Sequence, residues 1–409
     1  MSSDSRLLAS LNLNEKVLSH PSLARAENQL DLFCSVAWSH ITEPGDEFAG
    51  LLRTALGPAE ALALLVSGAS QDIWLNRISE AGFLDAATER FGNAADTLRD
   101  SLARWRQRLS LATVLASLDE ATRLDIHLVS PNTENWPDQL SVLEFASPAL
   151  LWVRGHTETL KGSEKSWAVV GCRTPTSYGQ DVTHALVQGL ADSELAIVSG
   201  GAFGIDAIAH HAALICQTPT IAVMAGGVDR LYPRTNENLL NKIISNGAVL
   251  SEVALGVAPT KWRFLQRNRI IAALGGGTVV VEAGYRSGAI NTANHAISML
   301  KPVAAVPGSV LSSRSAGCNR LISEGHAQLV TSAADLLSIY PGTPALEVFA
   351  FDTMAPLETR TYDSIGFRAA TIEQICQDAG LTLSEATQAI ASLLTQRKVF
   401  QRGASYLRA

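Results

Sequence analysis

The chain has 409 residues, 47% of them apolar, and carries a formal net charge of −7. That length is enough for a large core divided into two or three domains. The polar start Met1–Arg6 and the lack of any apolar run of 18 residues argue against a signal peptide or membrane span, and so for a cytoplasmic location. The five cysteines (Cys34, Cys172, Cys216, Cys318, Cys376) are scattered with no C-x-x-C pair, which favours reduced thiols over a disulfide framework or a metal site.

Residues 1–120 are expected to be helical. Asp31–His40, Pro58–Ser67 and Ser101–Leu115 space their apolar residues three and four apart. Segment 122–160 differs, with strand-like Ile126–Val129 and Leu150–Gly155 and turns at Trp136-Pro137 and Pro148. It is expected to pack against the main sheet. From Trp167 to Pro307 the chain repeats an apolar strand, glycines and a helical segment six times. The strand starts are Trp167, Leu195, Thr220, Ala248, Thr278 and Val303, 25 to 30 residues apart. This is the repeat of a parallel sheet, whose carboxyl edge is where ligands bind.

Pro341, Gly342, Pro344 and Pro356 mark 341–363 as a linker that no helix should cross. In 364–409, Thr371 can cap a helix containing Ile372, Ile375 and Cys376, which Gly380 ends. Ser384 can cap a second helix, and Val399-Phe400, Arg402-Gly403 and Tyr406-Leu407 read as a two-stranded wing. The pattern is that of a winged helix. Its second helix lacks Lys and Arg before Arg397, which weighs against major-groove reading. The expected domains are thus 1–120, 121–340 and 364–409, with 341–363 as linker.

The negative total hides a basic middle. Residues 151–340 hold 5 Lys and 10 Arg against 5 Asp and 7 Glu, a balance of +3, so a basic groove remains open. Arg173 follows the strand-ending Val169-Val170-Gly171 and reads either as a ligand contact or as a solvated surface charge. Ser199-Gly200-Gly201-Ala202-Phe203-Gly204-Ile205-Asp206 could present backbone N–H groups to a phosphate at a helix start, or could simply be a tight turn. Neither G-x-G-x-x-G nor the P-loop word occurs. Asp206 and His210, one helical turn apart, fit an acid–base pair or a packing role.

Lys261 to Arg269 holds four cations, no acid, and both Trp262 and Phe264. Cations there can neutralise phosphates while a ring stacks on an unpaired base. The alternative is a solvated charge run with both rings in the core. Glu282 ends the next apolar strand, where it could be catalytic or could orient a loop. Ser287-Gly288 and Asn291-Thr292-Ala293 open a further helix and a second possible anion cradle.

Taken in order, these words resemble the DNA-processing protein A family (DprA, also called Smf). They are Val-Val-Gly-Cys-Arg at 169–173, Ser-Gly-Gly-Ala-Phe-Gly-Ile-Asp at 199–206, Ala-His at 209–210 and Thr-Ile-Ala-Val at 220–223. Tyr-Pro-Arg at 232–234, Arg-Asn-Arg-Ile-Ile at 267–271, Ser-Gly-Ala at 287–289, Thr-Ala at 292–293 and Val-Pro-Gly at 306–308 complete them. Cys172 stands where the family usually has serine, and Leu265 where proline is common.

The resemblance implies an extended Rossmann-like core, with a helical, SAM-like N-terminal domain and a winged-helix C-terminal domain. It implies a non-enzymatic single-stranded DNA-binding protein, without cofactor or metal, that protects incoming strands and loads the RecA recombinase in natural transformation. The family's basic pocket falls on Arg173, Arg234, Lys261 and Arg267-Asn268-Arg269, with Phe264 as the stacking ring. Gly171, Ser199, Gly200, Gly201, Gly204, Ser287 and Gly288 lie in the same words. A homodimer edge is expected near Asn319 and Ile322. Two other readings stand beside it: a nucleotide phosphoribohydrolase of the lonely-guy kind, from Gly276-Gly277-Thr278 and Glu282, and an interaction scaffold with a vestigial pocket.

Overall fold

The computed structural model describes Leu11 and residues 15–24, 26–161, 163, 165–340, 354–366 and 369–408. Each glycine-terminated apolar segment becomes a strand within one residue of its expected start. The strands are β3 (Ser166–Val170), β4 (Ala196–Ser199), β5 (Thr220–Val223), β6 (Ala248–Ser251), β7 (Gly277–Val280) and β8 (Val303–Ala305). Short β9 (Gln328–Leu329) joins the far edge, and β1 (Ile126–Val129) with β2 (Leu151–Gly155) adds an antiparallel pair beyond β6. The sheet runs β1-β2-β6-β5-β4-β3-β7-β8-β9. The chain therefore winds outward from β3 through β4 to β6, then returns to β3's other side with β7. That reversal opens a crevice between the loops after β3 and β7.

After a helical turn at Glu15–Leu18, the helices described before the sheet are α1 (Gln29–Ile41), α2 (Glu47–Leu56), α3 (Pro58–Val66), α4 (Gln71–Glu80), α5 (Leu84–Phe91), α6 (Ala94–Arg108) and α7 (Leu111–Arg123). The helix expected over 101–115 is two helices. Ser110 starts the second, its Oγ accepting the Thr113 N–H at 3.3 Å. Trp38 and Trp105 meet edge to face at 5.4 Å in the middle of this bundle. The same apolar cluster continues into Trp152, Ala222, Met224 and Val249 of the sheet region, so Met1–Thr343 is one compact unit across the boundary expected at residue 120. Among the described residues no single helix is long and apolar enough to cross a membrane, and α2 and α3 together bend by 110°.

The core helices are α8 (Ser177–Ala191), α9 (Ile205–Ile215), α10 (Glu237–Asn246), α11 (Lys261–Leu274), α12 (Gly288–Ser298), α13 (Ala316–Ser323) and α14 (Ala333–Ser338). Successive residues of β3 point to opposite faces. Trp167 and Val169 pack with Leu186, Leu190, Ile205 and Ala209, whereas Ala168 and Val170 pack with Ile270, Ala273, Ala289 and Ala293. Both faces are covered, as a parallel sheet requires.

The second unit, Pro344–Ala409, has its own small core. It contains α15 (Pro356–Ser364), α16 (Ile372–Ala379), α17 (Leu383–Thr395) and a sheet ordered β10 (Ala370–Thr371), β12 (Ser405–Arg408), β11 (Val399–Arg402). Two expectations are corrected here. The stretch expected as linker contains α15, because Pro356 stands at the first turn, where a missing N–H costs nothing. Residues 341–353 of that stretch lie outside the described residues. Thr382, not Ser384, caps α17: its Oγ1 accepts the Glu385 N–H and the Glu385 carboxylate accepts the Thr382 N–H. Gly380 ends α16 in the left-handed region, as expected (φ 61°).

Candidate nucleic-acid interface

A cleft of about 930 Å³ lies over the carboxyl ends of β3 and β7, at the topological reversal. Its walls are the loop after β3, the first half of α11 and the loop after β7, with Tyr232 and Pro259 at one end. Thr260 starts α11, its Oγ1 accepting the Arg263 N–H at 3.2 Å. Helical spacing then puts Lys261, Phe264, Arg267 and Asn268 on the cleft side.

Phe264 is half-buried at the centre of this wall. The Arg173 guanidinium lies 5.3 Å from its ring centroid, that of Arg267 lies 5.6 Å away, and the Tyr232 ring is 6.0 Å away at 57°. A ring flanked by two cations is held in place electrostatically as well as by packing. Arg173 and Lys261 are exposed, so their charge faces solvent in the cleft.

Arg267 is different. It is only 5% exposed, and its Nη1 donates to the carbonyls of Gly200 at 2.6 Å and Val223 at 2.5 Å, tying α11 to the ends of β4 and β5. Burial lowers its pKa to about 10, opposed by nearby Asp206, so it remains a cation at neutral pH. Burial pushes the Asp206 carboxyl up, while Arg267 and the Ala202 and Gly200 N–H groups pull it down. The pair contributes fixed local polarity more than free positive charge.

The glycine word at 199–206 is not the open anion cradle expected. Ser199 is fully buried and its Oγ donates to the Val169 carbonyl at 2.6 Å, pinning β4 to β3. A Cβ on Gly200 would sit 2.2 Å from the Arg267 guanidinium, and one on Gly204 would sit 2.2 Å from the Cys172 carbonyl. Gly201 and Gly204 also hold positive φ (61° and 79°). These residues let helix and loop pack closely; Ala202 and Asp206 line the cleft, and Gly200 and Phe203 line the adjoining recess that shares Arg173, Tyr232 and Phe264 with it. Gly171 does line it, and has Ile205 behind it.

Arg269 is corrected as a cleft residue, and Arg234, Asn319 and Ile322 lie apart from the cleft lining. Arg269, five residues past Phe264, comes round to the opposite face of α11. There it is 4% exposed and ion-paired with Glu252. Arg234 is exposed in a short 3-10 turn but does not line the cleft. Asn319 spends both ends of its amide on Gly308, accepting its N–H at 3.1 Å and donating to its carbonyl at 3.0 Å. Ile322 is half-buried against the core. Asn268 does line the cleft, and its Nδ2 donates to Asn291 Oδ1 at 3.0 Å and to the Gly288 carbonyl at 3.3 Å. Ser287 caps α12, accepting the Ala289 N–H at 3.3 Å, and stands in the cleft wall beside exposed Gly288.

The candidate catalytic groups are engaged elsewhere. Glu282 is 2% exposed and accepts the Thr176 N–H at 2.9 Å and the Thr176 Oγ1–H at 2.7 Å, which orders the loop carrying Arg173. His210 pairs through Nδ1 with Thr220 Oγ1 at 2.7 Å, and burial lowers its pKa to about 3, so it is neutral. Among the described residues no cluster of His, Cys, Asp and Glu could hold a metal ion.

Sequence reasoning gave no site role to Cys172 and Tyr232, which lie in the quoted words, or to Tyr285 and Arg286, and all of these line the cleft. The signal for the last two was present, since Tyr285-Arg286 follows the strand-ending Glu282-Ala283-Gly284.

A crevice at the reversal point of a doubly wound sheet, where such sheets take their ligands, defines a protein of Rossmann-like fold. The matching family is more specific. Residues 127–341 fit the model of the DNA recombination-mediator protein A family, and the chain belongs to it. The DNA processing protein DprA of Streptococcus pneumoniae is 43% identical over 203 residues, covering 50% of this chain and 70% of its own length. That of Bacillus subtilis is 35% identical over 231 residues, covering 56% and 76%. The X-ray structure of the S. pneumoniae protein superposes with a TM-score of 0.58 at 32% identity, covering 76% of this chain and 97% of that one.

Proposed function

We propose that the protein binds single-stranded DNA in the β3–β7 cleft, without sequence preference, as a recombination mediator that protects incoming strands in natural transformation and passes them to RecA. The observation that carries this is Phe264, a half-buried ring in the cleft wall with the Arg173 and Arg267 guanidinium groups near it and exposed Lys261 on the same helical face. A base must be unpaired to stack on such a ring, and stacking tolerates any base. The cations supply a phosphate attraction that falls with salt. The reading is one of binding, and the burial of the Glu282 carboxylate on Thr176 supports it over N-glycosidic cleavage. A homodimer formed near Ile322, a cytoplasmic location and a winged-helix C-terminal unit belong to the same reading.

Fluorescence anisotropy with single- and double-stranded oligonucleotides across a salt series tests it. The single strand should bind more tightly. Replacing Arg173 and Lys261 by alanine should reduce the slope of log affinity against log salt by about 1.4, at about 0.7 per phosphate contact. Equal affinity for both forms, or an unchanged slope, would overturn the assignment.

A further inference from the structure

The carboxyl edge does not stop at the cleft. β3, β7 and β8 are neighbours in the sheet, so the loops that follow them lie side by side, about 4.8 Å apart at their roots. Each carries an exposed arginine: Arg173 after β3, Arg286 after β7 and Arg314 after β8. We propose that Arg286 and Arg314, with the Tyr285 ring between cleft and edge, form a rail that carries a single strand out of the cleft towards β8. This rests on the reading of the cleft as a single-stranded DNA site.

Tyr285 is 59% exposed, yet one side of its ring is backed by the Arg320 guanidinium at 4.5 Å. A ring fixed from below and open above is a stacking platform, as Phe264 is within the cleft. Arg314 is anchored where the rail needs it, its Nη1 donating to the Thr174 carbonyl, one residue beyond Arg173. The acids of this edge are engaged. Glu282 is buried on Thr176, and Glu324 lies 3.3 Å from Arg320. Arg286 makes no ion pair among the described residues. The row therefore keeps its positive charge. An ordinary solvated surface would not require a backed ring or an arginine tied to the cleft's own loop.

The test compares two oligothymidylates on the full chain: one of about six nucleotides that fills the cleft, and one of about fifteen that reaches past it. In the Arg314→Ala protein, which leaves the cleft lining intact, the long strand should bind several-fold more weakly at low salt, with its salt slope reduced by about 0.7 for one lost phosphate contact. The short strand should be little changed. Arg314→Lys should keep the salt slope, because the charge is retained, and lose only the part of the affinity that the Thr174 anchor contributes. An unaffected long strand, an equal loss for both lengths, or an Arg314→Lys protein as weak as Arg314→Ala would overturn the rail while leaving the cleft assignment intact. A wild-type protein that retains neither oligonucleotide would overturn both.

Discussion

Phe264→Ala separates a binding ring from a core ring. Deleting a fully buried phenylalanine costs about 3–5 kcal/mol. Phe264 is half-buried at the cleft mouth and belongs to none of the apolar core clusters, so its loss should cost only about 1–2 kcal/mol of stability. In a unit of this size that lowers Tm by no more than about 4 °C. The lost stacking should cost about 1–3 kcal/mol of binding, which is about 5- to 140-fold in Kd at 1.4 kcal/mol per decade. Phe264→Tyr should keep most of the affinity. The assay is anisotropy titration at fixed low salt, beside thermal unfolding of the same preparation. Affinity within twofold of wild type together with a Tm drop above about 10 °C would show that the ring is core, and the stacking argument would fail.

Three other outcomes are expected. Glu252→Gln should destabilise the protein by about 3–5 kcal/mol in urea unfolding, because Arg269 would keep a buried charge with no carboxylate; replacing both by apolar residues should restore much of that loss. Stability should also fall as pH drops below about 6.5. Burial holds His40 down to about 4 and His210 down to about 3, so below 6.5 the unfolded chain takes protons that the native state refuses. The contribution is full above 6.5 and lost progressively towards the folded values, about 2 kcal/mol per histidine by pH 5, and a flat urea midpoint between pH 7 and 5 would refute it. Finally, Ile322→Glu should give a folded monomer by light scattering; a variant that remains dimeric places the interface elsewhere.

The sheet was legible because a buried parallel strand is a short apolar run, which β3 through β8 each carry, and most of these runs lead into glycine. The cleft was only half legible. Lys261, Phe264 and Arg267-Asn268 share a helical face, whereas Arg263 and Arg269 turn to the other side, so a basic run in sequence divides into two groups in space. The partners of the second group, Glu43 for Arg263 and Glu252 for Arg269, lie 220 and 17 residues away. No local rule links them. Ser199 was misassigned for a related reason: a hydroxyl at a strand end reads the same whether it meets ligand or the neighbouring strand's carbonyl. In α17, Thr382 and Ser384 both suit a cap, and the Glu385 side chain decided between them.

The two-sided use of α11 bears on how fragments of this protein should be compared with the whole. Arg263 is neutralised by Glu43 from the N-terminal helices, with contacts of 3.1 Å at Nε and 2.7 Å at Nη2, and Glu43 also receives Arg108 at 2.8 Å. A fragment that begins at the first strand loses that carboxylate and keeps the arginine, beside the very helix that carries Lys261 and Phe264. It therefore presents Arg263 to any polyanion without its carboxylate partner, and its affinity would overstate that of the intact chain. The helical bundle works as a screen on the back of the binding helix, confining its positive charge to the side that faces the cleft.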